Sequence, residues 1–147
     1  MNIDKIKDSM VNFTCSKNVK ATPMTKAQYN ELRGWNGVES DFYENGYLVM
    51  YESDGNSNVE GFEGYISWSP KNPFDLGYTI TETYKDRVRF EYIELLKRME
   101  KLIEFIESKT DEGMKLPDMD ILHTQLEAMK LYAWALKERL DMFSKEK

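Results

Sequence analysis

The chain of 147 residues has one cysteine, one histidine and four prolines, and each scarcity excludes something. Cys15 alone cannot close an internal disulfide, so a reducing cytosol is the default compartment. No apolar run approaches the ~20 residues of a membrane span, and the opening "MNIDKIKDSMVNFTC" lacks the apolar core of a signal peptide. Positive charge is short as well. A formal net charge of −6, with no basic run, argues against gripping long DNA or RNA through phosphates. A small nucleotide stays compatible, because it needs only a few placed cations and a stacking surface.

Catalytic signatures are missing too. There is no glycine-rich phosphate loop, G-x-S-x-G elbow or H-E-x-x-H pair. Cys15 lies in a polar stretch without an identifiable base, which disfavours a catalytic thiol. His123 stands without a cysteine or second histidine at coordinating spacing, so a structural role is expected rather than a metal ligand. The acids of "DMD" and "ESKTDEG" fall at a helix start and in a loop, where dipole and solvation account for them. The expectation is a protein that is not an enzyme and that needs no metal or cofactor.

What the chain does have is rings and methionine. Aromatics make up 13% of it, with nine Tyr and three Trp, and Met occurs nine times. Both residue types enrich interfaces as well as cores. Residues 1–79 hold 12 of the 19 aromatics and most glycines, whereas residues 80–147 carry 28 charged side chains and one glycine. The composition predicts an α+β chain: a small antiparallel β-sheet module with a short helix over 1–79, then a long antiparallel two-helix hairpin over 80–147.

In the first part, "KNVKA" reads as a short strand stopped by Thr22-Pro23. Thr25-Lys-Ala-Gln28 has capping-box spacing, so a helix should run through Tyr29 and Leu32 to Gly34. "GYLVMYE" alternates, with Tyr47, Val49 and Tyr51 on one face and Leu48 and Met50 on the other. "SDGNSNVEGFEG" should be a solvated hairpin loop, and "YISWS" the returning strand. Ser69 suits an N-cap, with Pro70 opening a one-turn helix that bears Phe74. So small a sheet would be marginal alone.

The second part is strongly periodic. Thr79-x-x-Glu82 has capping-box spacing. Val88, Tyr92, Leu95, Met99, Leu102 and Ile106 then recur in steps of four and three. After "SKTDEGMKLPD", Met119, Leu122, Leu126, Met129, Ala133, Leu136, Leu140 and Phe143 do the same, which predicts the antiparallel hairpin. Phe90, Ile93, Ile103 and Phe105 on the first helix, and Ile121, Leu131 and Trp134 on the second, lie off this seam. A second apolar face needs a second partner: the sheet of the first part, the same hairpin from another chain, or both.

A binding surface is what remains. Tyr29, Arg33, Trp35, Tyr47, Tyr65, Trp68, Phe74 and Tyr78 crowd the α+β part. Any one of these rings has core packing as its ordinary role, but together they exceed what a small sheet buries. Arg33 and Lys71 are the cations placed to lie beside them, where a base stacks while a phosphate meets charge. Tyr84, Arg87, Arg89, Arg98 and Lys101 add polar and cationic groups along the first long helix, where surface pairing with Asp86, Glu91 and Glu94 is the plainer role.

The stretch "ATPMTKAQYNELRGW … ENGYLVMYE … GYISWSPKNPF" resembles a small phage β-module with an A-x-P-M-T…Y…RGW opening and a Y-x-SWSPK-x-x-F ending. "DRVRFEYIELLKRMEKLIEFIES … LHTQLEAMKLYAWALKERLDMF" is similar to the hairpin shared by anti-CBASS sponge proteins and type-1 Thoeris anti-defence proteins. Together these cover most of residues 19–143 and point to the Thoeris anti-defence type-1 family. The resemblance implies a phage-made, non-enzymatic sponge in the host bacterial cytoplasm. It would bind glycocyclic ADP-ribose made by TIR-domain enzymes and, as some members do, cyclic di- and trinucleotides of CBASS. It also implies self-assembly through the hairpin into a dimer or hexamer, with the ADP-ribose pocket on the aromatic module at a subunit boundary. Matching positions put Arg33 and Trp35 in the module's opening, Trp68, Ser69, Lys71 and Phe74 in its ending, and Tyr84, Arg87 and Lys101 on the first hairpin helix; Tyr47 joins them from the intervening strand. Thr79 stands where the module commonly carries arginine, so another cation must serve there or binding must be weaker.

Two readings from different classes follow: a nucleotide-signal sponge, or a phage adaptor that docks a host protein through the hairpin. Cleavage of a cyclic nucleotide is a third, minor reading.

Overall fold

Local sequence rules build most of the elements, and tertiary pairing moves the ends of several. The computed structural model describes residues 2–15, 17–52, 56–111, 113 and 116–146. Helix α1 (Ile3–Asp8) is followed by β1 (Val19–Pro23), α2 (Lys26–Arg33), a 3₁₀ turn (Glu39–Phe42), β2 (Gly46–Tyr51), β3 (Tyr65–Pro70) and α3 (Lys71–Gly77). Two long helices come last, α4 (Tyr84–Asp111) and α5 (Leu116–Lys145). The architecture is α+β, a three-stranded antiparallel sheet with short helices and then a helical hairpin. The chain divides into two compact units, Met1–Tyr78 and Thr79–Lys147.

In the first unit β2 is central, with Val19 opposite Tyr51 on one side and Tyr65 opposite Tyr51 on the other. Strand alternation sends Leu48, Met50, Ile66 and Trp68 to one face, and Tyr47, Val49, Tyr51, Ser67 and Ser69 to the other. Helix α2 covers the first face, where Tyr29, Leu48 and Ile66 form a core backed by Met24, Met50 and Trp68. Thr25 caps α2 as its spacing predicts: its hydroxyl accepts from the Gln28 N–H, and its own N–H donates to Gln28 Oε1 at 2.9 Å. Gly34 ends the helix at φ 67°, a left-handed conformation that suits a residue without Cβ.

Four expectations are corrected here. Strand β1 runs through Pro23 instead of stopping at Thr22, because an edge strand tolerates a proline whose nitrogen faces outward. Ser69 is not an N-cap. It pairs with Tyr47 inside β3, and the Lys71 N–H continues the ladder to the Asn45 carbonyl at 3.0 Å, so the two-turn helix α3 begins one residue later than read, after Pro70. Residues 53–55 of the expected solvated loop lie outside the described residues. The rest of that loop folds back: Val59 and Phe62 pack on the core, and Asn58 meets both backbone groups of Ile66, accepting at 2.8 Å and donating at 2.9 Å. Finally, the capping box of the first long helix is Thr83-x-x-Asp86 rather than Thr79-x-x-Glu82. Asp86 accepts from the Thr83 N–H at 3.1 Å, and the Asp86 N–H donates to the Thr83 hydroxyl at 3.2 Å.

The second unit follows its heptads. Val88, Leu95, Ala133 and Leu136 form one buried cluster, and Ile106, Met119 and Leu126 another. Tyr92, Met99, Leu102, Leu122, Met129, Leu140 and Phe143 pack against them, so every residue of the two predicted seams lies in the core. Pairing of the start of α4 with the end of α5 makes the helices antiparallel. Helix α4 also runs through Ser108 to Asp111, into the segment read as a connection. Residues 112, 114 and 115 of that segment lie outside the described residues.

Candidate ligand-binding site

On the sheet face opposite α2, three rings form a column. The centroids of Tyr47 and Phe74 are 4.1 Å apart with planes at 24°, and those of Phe74 and Tyr78 are 4.6 Å apart at 21°. Phe74 is therefore covered on both faces by its neighbours and has none to offer a base. Burial, and then Tyr51 and Cys15 nearby, pushes the Tyr78 phenol above its ordinary value. Lys71, the first residue of α3, pairs with Asp75 one turn on. The Lys71 ammonium, with help from the Tyr47 hydroxyl, holds the Asp75 carboxyl below the usual carboxylate range.

A cleft of about 370 Å³ opens where β1 ends, β2 begins and α3 starts, lined by Pro23, Met24, Thr25, Gln28, Asn45, Gly46, Tyr47 and Lys71. A second hollow of about 330 Å³ shares Asn45 and Lys71 and adds Pro70, Asn72 and Pro73. The cleft thus offers one aromatic ring, one cation and amide or hydroxyl side chains, which is the chemistry that a small polar ligand with a flat part requires.

The structure brings together only some of the residues singled out from sequence. Tyr47, Lys71 and Phe74 share one face, with Ser69 beside Tyr47. Trp68 points the other way, into the core, and its indole N–H donates to the Met24 carbonyl at 2.9 Å. Arg33 and Trp35 sit at the far end of α2. The guanidinium carbon lies 4.4 Å from the Trp35 ring centroid, and Nη1 donates to the Tyr29 hydroxyl at 2.9 Å. Trp35 is 53% exposed, on a corner fixed by the buried Asp41. Asp41 accepts from the Val38 N–H and from Asn30, each at 2.9 Å, and pairs with Lys26 at 3.3 Å.

In the hairpin, Tyr84 meets Phe143 edge to face at 5.4 Å, and the Lys85 ammonium lies over the Phe143 ring while pairing with Glu146. Arg87 Nη1 donates to the carbonyls of Thr81 and Glu82 at 3.3 and 3.1 Å, bracing the segment before α4. Lys101 is exposed on α4, roughly 20 Å beyond Arg87 by helical rise. It does not share a site with Tyr84 and Arg87.

Sequence reasoning missed the cleft's Thr25, Gln28 and Asn45. Thr25 and Gln28 were legible only as a helix cap, and Asn45 precedes β2 without a motif. Their common signal is position: all three lie where an element begins or is about to begin.

Residues 82–142 match the Sequestin family model. The Sequestin match runs from just before α4 to the last turns of α5, and it fits a protein that sequesters. No curated protein and no solved structure matches the chain. Among the described residues, no group of His, Cys, Asp and Glu is arranged to hold a metal ion, and no helix is long and apolar enough to cross a membrane.

Proposed function

We propose that this protein is a phage-encoded sponge that binds glycocyclic ADP-ribose in the host bacterial cytoplasm and withholds it from its effector without cleaving it. The observation that carries this reading is the Sequestin match across the hairpin. The cleft of the first unit supports it. Tyr47 gives the adenine a ring to stack on, worth roughly 1–3 kcal/mol per base. Lys71 gives the diphosphate a charge-assisted partner once Asp75 yields it. With Thr79 where the module commonly has arginine, Lys71 is the cation that takes the phosphate.

Assembly belongs to the same reading. Phe90, Ile93, Ile103, Phe105, Ile121, Leu131 and Trp134 are exposed on the hairpin, Trp134 at 61%. We place there the contacts that make the dimer or hexamer and the sites for cyclic di- and trinucleotides, with Arg87 and Lys101 supplying charge at separate points along α4 and Tyr84 a ring. The same exposed side chains favour the second reading, an adaptor that docks a host protein.

Native mass spectrometry of the full chain with glycocyclic ADP-ribose and with cyclic di- and trinucleotides tests both, since stoichiometry and ligand are read together. The sponge retains nucleotide on an oligomer, releases it intact after heat denaturation, and loses about tenfold or more in affinity for the ADP-ribose isomer on Tyr47→Ala. A 17.4 kDa monomer indifferent to every nucleotide overturns it in favour of the adaptor. Release of a linear product would make the protein an enzyme.

A further inference from the structure

One carboxylate reaches both working groups of the cleft without lining it. Lys71 and Asp75 stand one turn apart on α3, and the Lys71 ammonium pairs with an Asp75 oxygen. The Tyr47 hydroxyl donates to the same carboxylate. The cleft's ring and its cation are thus both tied to a residue that lines neither hollow.

Helix α3 gives that carboxylate little room to move. The Lys71 N–H is held by the Asn45 carbonyl at 3.0 Å, and the Tyr78 N–H donates to the Phe74 carbonyl at 2.9 Å. Between these ends the Phe74 ring is clamped by Tyr47 on one face and Tyr78 on the other. Asp75, the next residue, is therefore fixed in place. The Lys71 side chain is 54% exposed and has a flexible four-carbon stem, so it is the part that can leave.

We propose that Asp75 is the cleft's built-in counter-ion: it occupies Lys71 in the free protein, and an anionic ligand gains the lysine only by displacing it. Displacement leaves Asp75 with the Tyr47 hydroxyl, so the ring stays where a ligand would stack. The exchange replaces one anion by another, and Lys71 adds to affinity only the difference between its phosphate and carboxylate pairs. A neutral ligand that stacks on Tyr47 makes no such exchange. Asp75 therefore sets how far the cleft favours an anionic nucleotide over a neutral nucleoside. This role rests on the reading that Tyr47 and Lys71 receive the ligand, but not on which phosphate-bearing molecule that ligand is.

Titration of the full chain with pyrophosphate and with adenosine, followed by NMR at the Tyr47 and Lys71 amides, tests it. Asp75→Asn keeps an oxygen for the Tyr47 hydroxyl and frees the lysine. It should tighten pyrophosphate binding about fivefold, the upper end of what an exposed ion pair withholds, and leave adenosine unchanged. Without the lysine the gain should vanish, so that Lys71→Gln binds pyrophosphate alike with and without Asp75→Asn. Tightening of both ligands, tightening of neither, or a gain that survives Lys71→Gln overturns the proposal, as does pyrophosphate binding by neither wild type nor Asp75→Asn. Glycocyclic ADP-ribose separates this role from the sponge reading. If wild type holds it and Asp75→Asn holds it no tighter, the counter-ion role fails and the sponge stands. If neither holds it while pyrophosphate shows the gain, the sponge fails and the counter-ion role stands.

Discussion

The hairpin and the sheet unit reach stability by different routes. The hairpin rests on a repeated apolar seam, in which Leu136 is 1% exposed and its neighbours are interchangeable in kind if not in shape. The sheet unit has a smaller core and leans on individual fits. Trp68 lies over the bare backbone of Gly46, Asn58 seals Ile66, and Asp41 ties down a corner. A periodic core tolerates variation in detail and fails when volume is lost. A core of individual fits fails when one atom is added or one proton arrives.

The largest expected effect tests the first half of that contrast. Leu136→Ala removes a fully buried side chain from the hairpin and should cost about 2–5 kcal/mol, read from urea unfolding followed by far-UV circular dichroism. A cost below about 1 kcal/mol would mean the seam collapses around the cavity and the contrast is overstated. Next comes the addition of a single methyl. A Cβ on Gly46 would stand 2.3 Å from the Ser69 carbonyl oxygen and 2.5 Å from the Trp68 ring. Because a backbone oxygen cannot step aside as a flexible side chain can, Gly46→Ala should destabilise the sheet unit by about 1–3 kcal/mol, seen as an earlier loss of near-UV ellipticity. Full retention of that signal through the wild-type transition would show that the strand ends have slack.

The smallest effect is acid sensitivity. The Val38 N–H first, and then Lys26 and Asn30, hold the Asp41 carboxyl below its ordinary value, and Lys71 does the same for Asp75. Carboxyls whose folded pKa is lowered stabilise above the unfolded pKa of about 4 and stop doing so as pH falls through the folded value. The sheet unit has both; the hairpin has Asp86, held low chiefly by the Thr83 N–H. Melting temperature measured on descending pH should therefore drop below about pH 4, with a shallower slope in Asp41→Asn and Asp75→Asn. A slope unchanged by both substitutions would remove these carboxylates from the account.

The same contrast explains what could be read in advance. Both seams were legible to the residue, because a heptad period is a local property repeated many times. The sheet's faces were legible from alternation, down to Leu48 and Met50 opposing Tyr47, Val49 and Tyr51. Element ends were not. Ser69-Pro70 and Thr79-x-x-Glu82 both have the chemistry of helix starts, yet strand pairing claims Ser69 and a better box at Thr83 claims the start of α4. The candidate site shares this limit. Tyr47 and Lys71 meet because β2 and α3 start side by side, whereas Trp68, three residues before Lys71, turns into the core. Nearness in sequence did not imply a shared surface, since strand parity decides the face and only the ladder's end decides where parity stops.

The Asn58 amide has a consequence larger than the two bonds it makes. A sheet with two sticky margins is a monomer unit for a fibre, able to add copies without end. By taking both backbone groups of Ile66, Asn58 withdraws part of the outward margin of β3 from any such pairing.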